Sequence, residues 1–198
     1  MRQTVARTEI PNDDVITSRK YLHPEEVRRL IDAAGKVGRQ GQRDRLLITL
    51  LYRHGLRLSE ATALRWADFD FHAPRGAILR VRRLKGSRDS VHTLEPDESR
   101  MVRAYRLTCP VGASLVFYSE RGGPLSAPTV QRIVARAGEA AGLGHVHPHQ
   151  LRHSAGFMLA NEGVSVLEIA AYLGHRNIQN TVGYAELSPA RLAQVRVR

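Results

Sequence analysis

The stretch His-Pro-His-Gln-Leu-Arg-His at residues 147–153 opens a segment in which apolar residues recur at helical spacing. At about 100° per residue, this segment predicts a helix from His149 to Glu162 with two different faces. One face is apolar and carries Leu151, Ala155, Met158 and Leu159. The other face is polar, with a glycine that leaves room for another group to approach, and carries His149, Arg152, His153 and Gly156. We therefore expect a core helix that presents basic side chains from one side.

Two other interpretations of the same stretch are open. In isolation, such a stretch more often holds a satisfied core histidine and a solvated arginine. A zinc site is the second alternative, because histidines alternate from residue 145 to 149 and His149 and His153 are four residues apart. However, a zinc protease helix needs Glu directly after the first histidine, where this chain has Gln150, and Pro148 would interrupt a strand. We expect no bound metal.

Composition favours one basic domain. A chain of 198 residues can bury a proper core as a single domain. It has 30 Lys and Arg against 19 Asp and Glu, and the resulting net charge of +11 favours a polyanionic partner. Nucleic acid is the first candidate and a membrane surface the second, while a coding bias toward arginine would explain the charge without any partner.

Cysteine usage and the length of the apolar stretches indicate in which cellular compartment the protein resides. Cys109 is the single cysteine, so that an intramolecular disulfide and a cysteine-based metal cluster are excluded and a reducing cytosol fits. Residues 1–20 contain no apolar core of the kind a signal peptide needs, and the longest apolar stretch, residues 46–52, is too short to span a bilayer. We expect a soluble cytoplasmic protein that is not inserted in a membrane.

Local patterns predict a mainly helical α+β domain with a small antiparallel β-sheet or hairpin. Residues 1–20 show no periodicity and are expected to form a flexible leader. Alternation at residues 77–82 and again at 91–94 predicts the hairpin, with Lys85 at its turn. Periodicity, caps and glycines predict helices at residues 24–34, 43–54, 58–65, 97–107, 127–141 and 149–162, then one opened by Ser165 and closed by Gly174, and two short ones capped by Thr181 and Ser188.

Four further phrases carry residue types suited to phosphoryl transfer: Gly55-Leu56-Arg57-Leu58-Ser59-Glu60, Leu84-Lys85-Gly86, Leu173-Gly174-His175 and Gly183-Tyr184. This chemistry asks a protein mainly for position and fixed positive charge. Guanidinium groups can donate in parallel to two phosphate oxygens, so Arg57 and Arg152 are candidates to bind a phosphate. A tyrosine with a pKa near 10 is only about a thousandth ionised at neutral pH. A nucleophilic Tyr184 would therefore need a base, for which His149 and His175 are candidates, while its structural alternative is a buried aromatic side chain.

In this order, the phrases resemble the signature of the tyrosine recombinases, the phage integrase superfamily, over roughly residues 21–190. The resemblance implies that Tyr184 attacks a DNA phosphate to give a 3′-phosphotyrosine and a free 5′-hydroxyl. It also assigns the other site residues: Arg57, Arg152 and His175 stabilise the transition state, Lys85 protonates the leaving oxygen, and His149 accepts and donates a proton. Glu60 matches a supporting acidic position, and His153 is expected in the same outer layer of the site.

The resemblance also implies partners and domain organisation. Double-stranded DNA at specific sites is the expected partner. Four copies of the chain would bind it as a homotetramer, together with accessory DNA-bending proteins, and the reaction would need no cofactor, no ATP and no metal. We expect a leader at residues 1–20 and a catalytic domain at residues 21–198, within which residues 188–198 would form an arm that docks on a neighbouring protomer. No N-terminal DNA-clamping domain is expected. In lacking that domain, the chain is similar to the small single-domain recombinases that invert the promoter element of fimbrial genes. We therefore expect a site-specific recombinase that inverts DNA or integrates a mobile element, and that is associated with the nucleoid.

Two rival functions use the same residues. A DNA-binding regulator on this scaffold would bind DNA without cutting it, but the presence together of Arg57, Lys85, Arg152 and Tyr184 argues against that function. A type IB topoisomerase would share the chemistry and relax supercoils without pairing two sites. Relaxation of plasmids that lack a cognate site separates the topoisomerase from the recombinase.

Overall fold

The computed structural model describes residues 19–83 and 89–186. These residues form a mainly helical domain with a small antiparallel β-sheet, as the sequence predicts. The helices are α1 Pro24–Ala34, α2 Gly41–Arg53, α3 Leu58–Thr62, α4 Pro96–Arg106, α5 Ala127–Ala140, α6 Pro148–Asn161, α7 Val166–Leu173 and α8 Gln179–Glu186. The strands are β1 Phe69–Asp70, β2 Ile78–Val81 and β3 Ser90–Thr93.

Helix α2 lies at the centre of the core, because it is apolar on almost every side. Its residues from Leu46 to Leu51 are all buried. Gly55 follows with a φ of +54°, as predicted for the glycine that ends this helix. A side chain at this position would also collide with Leu173, so that the end of α2 and the end of α7 meet closely at a glycine.

The predicted hairpin is confirmed by β2 and β3, which pair antiparallel with Leu79 opposite His92. The structure adds a third strand, β1, which pairs antiparallel with β2 and gives the order β1-β2-β3. Along β2 the alternation continues past the strand, since Leu79, Val81 and Arg83 are all buried. Lys85 lies in residues 84–88, outside the described residues.

Two predicted element boundaries are wrong. The helix expected at residues 58–65 ends at Thr62, because Leu64 and Trp66 instead pair with the chain near Leu115: the Leu64 carbonyl accepts from Val116 N at 2.8 Å, and Trp66 N donates to Ser114 O at 3.0 Å. The last described helix begins at Gln179, so Thr181 is inside it and does not cap it. The second predicted cap, Ser188, lies outside the described residues.

Most of the predicted leader, residues 1–18, also lies outside the described residues. The chain that follows is held against α6. The Arg19 carbonyl accepts from Gln150 Nε2 at 3.0 Å, and Leu22 N donates to Ser154 Oγ at 2.8 Å. These contacts place residues 19–22 beside the first two turns of α6.

The hydrophobic core divides into a large cluster around α2 and a small one at the C-terminal end of the described chain. The small cluster joins α6, α7 and α8 through Ala155, Ala160, Ile169, Leu173 and Tyr184. Tyr184 is therefore both a candidate nucleophile and a core residue. Across the described ranges, none of the helices has the length and apolar character needed to cross a bilayer.

Candidate active site

Arg152 lies in the second turn of α6 and faces the interior of the protein. Only 3% of the residue is exposed. Its Nη2 donates to the carbonyl of Leu173 at 2.6 Å, and its Nη1 donates to the carbonyl of Gly55, so one guanidinium joins the ends of α2 and α7. Burial, together with the charges of Arg57 and Arg83, lowers the pKa of Arg152 to about 10. The group is still a cation at neutral pH.

Arg57 directly precedes α3 and approaches the same helix end from another direction. Its Nη2 donates to the carbonyl of Gly174 at 2.8 Å, and its Nη1 donates to Glu60 Oε1 at 2.8 Å. The other oxygen of Glu60 accepts from the backbone N of Arg57 at 2.8 Å. About a third of the Arg57 side chain is exposed, while the Glu60 side chain is buried. Glu60 thus orients Arg57, whose side chain stays partly exposed to solvent.

Tyr184 projects from α8 against α6, and 5% of the residue is exposed. A Cβ at Gly156 would lie 2.5 Å from Cε2 and 2.6 Å from Cζ of this ring. The group that Gly156 was predicted to admit is therefore the ring of Tyr184. Burial raises the pKa of Tyr184, and the nearby charge of Arg152 partly offsets that effect. The hydroxyl is protonated at neutral pH.

His153 lies directly at the hydroxyl of Tyr184, whereas the sequence predicts it in the outer layer of the site. Its Nδ1 lies 2.9 Å from Tyr184 Oη, so the tautomer with its proton on Nε2 can accept a hydrogen bond from the tyrosine. The ring of His149 packs edge-on against that of His153, with centroids 4.3 Å apart. Burial lowers the pKa of His153 to about 4, with smaller contributions from His149 and Arg152, and keeps the imidazole neutral at pH 7.

His175 follows the glycine that ends α7, and its ring also lies beside that of Tyr184. Its ring is nearly parallel to that of Tyr184, at 22°, with centroids 6.3 Å apart. Its Nδ1 lies 2.8 Å from Thr181 Oγ1, which explains why the threonine is buried inside α8 and does not cap it. Burial, with the charges of Arg152 and Arg57, lowers the pKa of His175 to about 4.

The structure brings six of the candidate residues into one site: Arg57, Glu60, Arg152, His153, His175 and Tyr184. His149 borders this site through His153, and Lys85 lies outside the described residues. Two arginines close to Lys85 in the chain are bound to carboxylates. Arg82 Nε lies 2.8 Å from Asp68 Oδ1, and Arg83 Nη1 lies 2.8 Å from Glu60 Oε2.

Sequence reasoning missed Arg83 and Thr181 as members of this site. A signal for Arg83 does exist in the sequence, because the alternation Leu79, Val81, Arg83 assigns it to the buried face of the strand. No comparable signal marks Thr181. Within the part of the chain that is described, no three His, Cys, Asp or Glu side chains are grouped so that they could hold a metal ion.

Comparisons with known proteins agree with this arrangement. The model of the phage integrase family matches residues 20–191. The type 1 fimbriae regulatory protein FimE of Escherichia coli (strain K12) is 39% identical over 184 residues, which cover 90% of this chain and 91% of that protein. FimB of the same strain is 37% identical over 178 residues and 87% of each chain. The crystal structure of XerA recombinase superposes with a TM-score of 0.75 at 26% identity, over 89% of this chain and 66% of that one. The chain therefore belongs to the phage integrase family, the tyrosine recombinases.

Proposed function

We propose that this recombinase inverts a DNA segment between two specific sites, and that it cuts each strand with Tyr184. One observation carries the catalytic part: the Tyr184 hydroxyl meets a neutral His153 at 2.9 Å in a site where two arginines are fixed on the end of α7. A nucleophile, a proton acceptor and fixed positive charge are the groups that phosphoryl transfer to a tyrosine requires.

In the cleavage step, Tyr184 Oη forms a bond to phosphorus while the bond from phosphorus to the 5′-oxygen breaks. His153 takes the phenolic proton in our assignment, and His149 beside it passes the proton on. Although the pKa of His153 is about 4 in the free protein, a phosphate in the site adds negative charge next to the imidazole and raises its proton affinity. The same arrangement in reverse rejoins the strand, so bond energy is kept in the phosphotyrosine ester.

Arg57 and Arg152 bind the non-bridging oxygens of the scissile phosphate in this proposal. Each guanidinium has five N–H donors, of which the protein carbonyls and Glu60 occupy two, and the remaining donors can bind phosphate. His175, whose ring lies beside that of Tyr184, supports the same charge. Lys85 is assigned to protonate the leaving 5′-oxygen. In support, its neighbours Arg82 and Arg83 are already paired with carboxylates.

The proposal extends to partners. The net charge of +11 and the exposed part of Arg57 support double-stranded DNA as the substrate. In this proposal four protomers bind the paired sites as a homotetramer, and residues 188–198 form the arm that one protomer docks on the next. Residues 1–20 form a leader, and residues 21–198 form the catalytic domain. Accessory DNA-bending proteins belong to the same proposal, as does action on the nucleoid in the cytoplasm. The similarity to two fimbriae regulatory proteins supports inversion in preference to integration.

A nicked suicide substrate tests the mechanism. The substrate is built from the DNA beside the gene, where a recombination site would carry short inverted repeats, and the nick traps the covalent intermediate. We expect a protein–DNA adduct from the wild-type protein and none from Tyr184→Phe. Tyr118→Phe is the matched control, since the hydroxyl of Tyr118 accepts from the backbone N of Leu115 at 3.0 Å in a loop outside the site, and this variant should form the adduct normally.

An adduct that survives Tyr184→Phe would refute the assignment of the nucleophile. On a plasmid that carries two such repeats, inverted product is expected. Relaxation of plasmids without the repeats would favour the topoisomerase, and binding to the repeats without cleavage would favour the regulator.

A further inference from the structure

The C-terminal end of α7 is bound by three arginines at three consecutive carbonyls. Arg83 Nη2 donates to Tyr172 O, Arg152 Nη2 donates to Leu173 O at 2.6 Å, and Arg57 Nη2 donates to Gly174 O at 2.8 Å. The last carbonyls of a helix have no partner within the helix and carry the negative end of its dipole, so they favour cations. The third arginine, Arg83, has no role in the proposed reaction.

In this conformation the guanidinium of Arg83 is bound to three groups of the protein itself. Its side chain is fully buried, and its guanidinium is bound to Glu60 Oε2 at 2.8 Å and to Ser90 Oγ at 3.3 Å as well as to Tyr172 O. Burial lowers the pKa of Arg83, and the carboxylate of Glu60 opposes that effect. A buried cation is tolerated only when it is paired and hydrogen-bonded. Nη1 and Nη2 of Arg83 meet this condition, while its buried Nε has no hydrogen-bond partner among the described residues.

Glu60 connects Arg83 to Arg57. Its Oε1 accepts from Arg57 Nη1, while its Oε2 accepts from Arg83 Nη1 and from the backbone N of Arg57, each at 2.8 Å. With Arg83 on Oε2, Glu60 binds the guanidinium of Arg57 through one oxygen only. Without Arg83, the backbone N of Arg57 would be the remaining partner of Oε2. This oxygen could then also accept from the Arg57 guanidinium in the bidentate geometry that this pair favours, and fewer of the guanidinium N–H donors would face a phosphate.

Gly174 fits the side chain of Arg83 closely. A Cβ at this glycine would lie 2.8 Å from Nε and 2.9 Å from Cδ of Arg83, and the φ of Gly174 is +66°. The glycine that precedes His175 is therefore needed for the backbone turn and also for the space that Arg83 occupies.

We propose that Arg83 is a positioning residue, which holds Glu60 and the end of α7 in the arrangement that directs Arg57 at the scissile phosphate. This inference rests on the proposed function, in which Arg57 binds a non-bridging oxygen of that phosphate.

The test compares cleavage of two suicide substrates, one with an ordinary scissile phosphodiester and one with a methylphosphonate, tested as each separate isomer. A methyl group in place of a charged oxygen removes the need for the arginine that binds that oxygen. Arg57→Ala should therefore cleave one isomer better, relative to the phosphodiester, than the wild type does. We expect Arg83→Met to cleave the phosphodiester about 100-fold more slowly, as for a misplaced catalytic group, and to be rescued at least about tenfold by the same isomer.

Two further variants keep the test decisive. Arg83→Lys retains the charge beside Glu60 if the methionine variant does not fold, and should show a smaller loss with the same isomer preference. Arg82→Met removes the neighbouring arginine, whose side chain is 62% exposed, and should leave the ratio of the two cleavage rates unchanged.

The outcomes separate the two proposals. Wild-type cleavage by folded Arg83→Met and Arg83→Lys would overturn the positioning role, and so would a loss that the isomer active with Arg57→Ala does not rescue. If neither isomer rescues Arg57→Ala itself, the assignment of Arg57 in the proposed function fails and the role of Arg83 fails with it.

Discussion

At the scale of single residues, the absence of one methyl group at Gly156 decides where the nucleophile lies. A Cβ there would lie 2.5 Å from Cε2 of Tyr184, well inside normal contact distance. We expect Gly156→Ala to push the ring out of its place and to slow adduct formation by at least about tenfold. Overpacking should also lower the free energy of unfolding by about 1–3 kcal/mol. Single-turnover cleavage and urea denaturation measure the two effects.

The matched control for this change is Gly183→Ala, since Gly183 precedes Tyr184 and a Cβ there would meet nothing within 4 Å. Alanine within a helix should stabilise the protein by about 0.5–1 kcal/mol. Equal cleavage rates for Gly156→Ala and wild type would contradict the packing role of Gly156.

Which of the two histidines, His149 or His153, contacts the nucleophile is likewise decided by a single contact. Both histidines were assigned to the polar face of α6 from the sequence alone, one turn apart. That pattern could not decide which of the two reaches Tyr184, because the answer depends on where α8 packs. The structure brings His153 to 2.9 Å from the hydroxyl, and the roles that the resemblance gave to the two residues change accordingly in our proposal.

At the scale of elements, α7 is defined by its two ends. Ser165 Oγ accepts from Glu168 N at 3.2 Å, and Glu168 Oε2 accepts from Ser165 N at 3.0 Å, which is the capping box predicted from the sequence. The other end is Gly174 in the left-handed conformation. Since the carbonyls at this end bind three arginines, the stability of α7 bears directly on the site.

We expect Ser165→Ala to lower the free energy of unfolding by about 1 kcal/mol through loss of the cap. The melting temperature of the variant measures this loss. Ser99→Ala is the control, because Ser99 lies inside α4, where alanine is the better helix former and should not destabilise the protein. An unchanged melting temperature for Ser165→Ala would show that the cap contributes nothing to stability.

The predicted elements that proved wrong fail for one physical reason. The helix expected at residues 58–65 ends early because the chain near Leu115, a distant part of the sequence, supplies backbone partners for Leu64 and for the neighbouring Trp66. Thr181 has the residue type of a helix cap, but its hydroxyl binds His175. In both places a contact between elements outweighs a local preference.

At the scale of the whole molecule, buried histidines make stability depend on pH. The pKa of His92 is lowered to about 2, and those of His153 and His175 to about 4, in each case mainly by burial. In the unfolded chain, histidine takes up a proton near pH 6.5. Between that pH and about 4, the unfolded state therefore binds more protons than the folded state, and the free energy of unfolding falls as the pH falls.

We expect urea denaturation midpoints to decrease from pH 7.5 to about 5, a range in which most carboxylates do not titrate. His153→Asn removes one of the responsible groups and should reduce the slope. His145→Asn is the control, since His145 is exposed. Equal slopes for His153→Asn and the wild type would contradict the assignment of this pH dependence to His153.

The sequence by itself determined the mainly helical class and most of the elements, because periodicity, caps and glycines act within a few positions of each other. Its ordered phrases also named most of the candidate site residues, though not Arg83 or Thr181. Only the tertiary structure decided how these residues meet. Arg57 binds the carbonyl of Gly174 from 117 positions away, and Arg152 binds that of Gly55 from 97. The burial of Arg83 under Glu60 and the contact of His153 with Tyr184 likewise depend on how the helices pack, and no local pattern encodes contacts of this range.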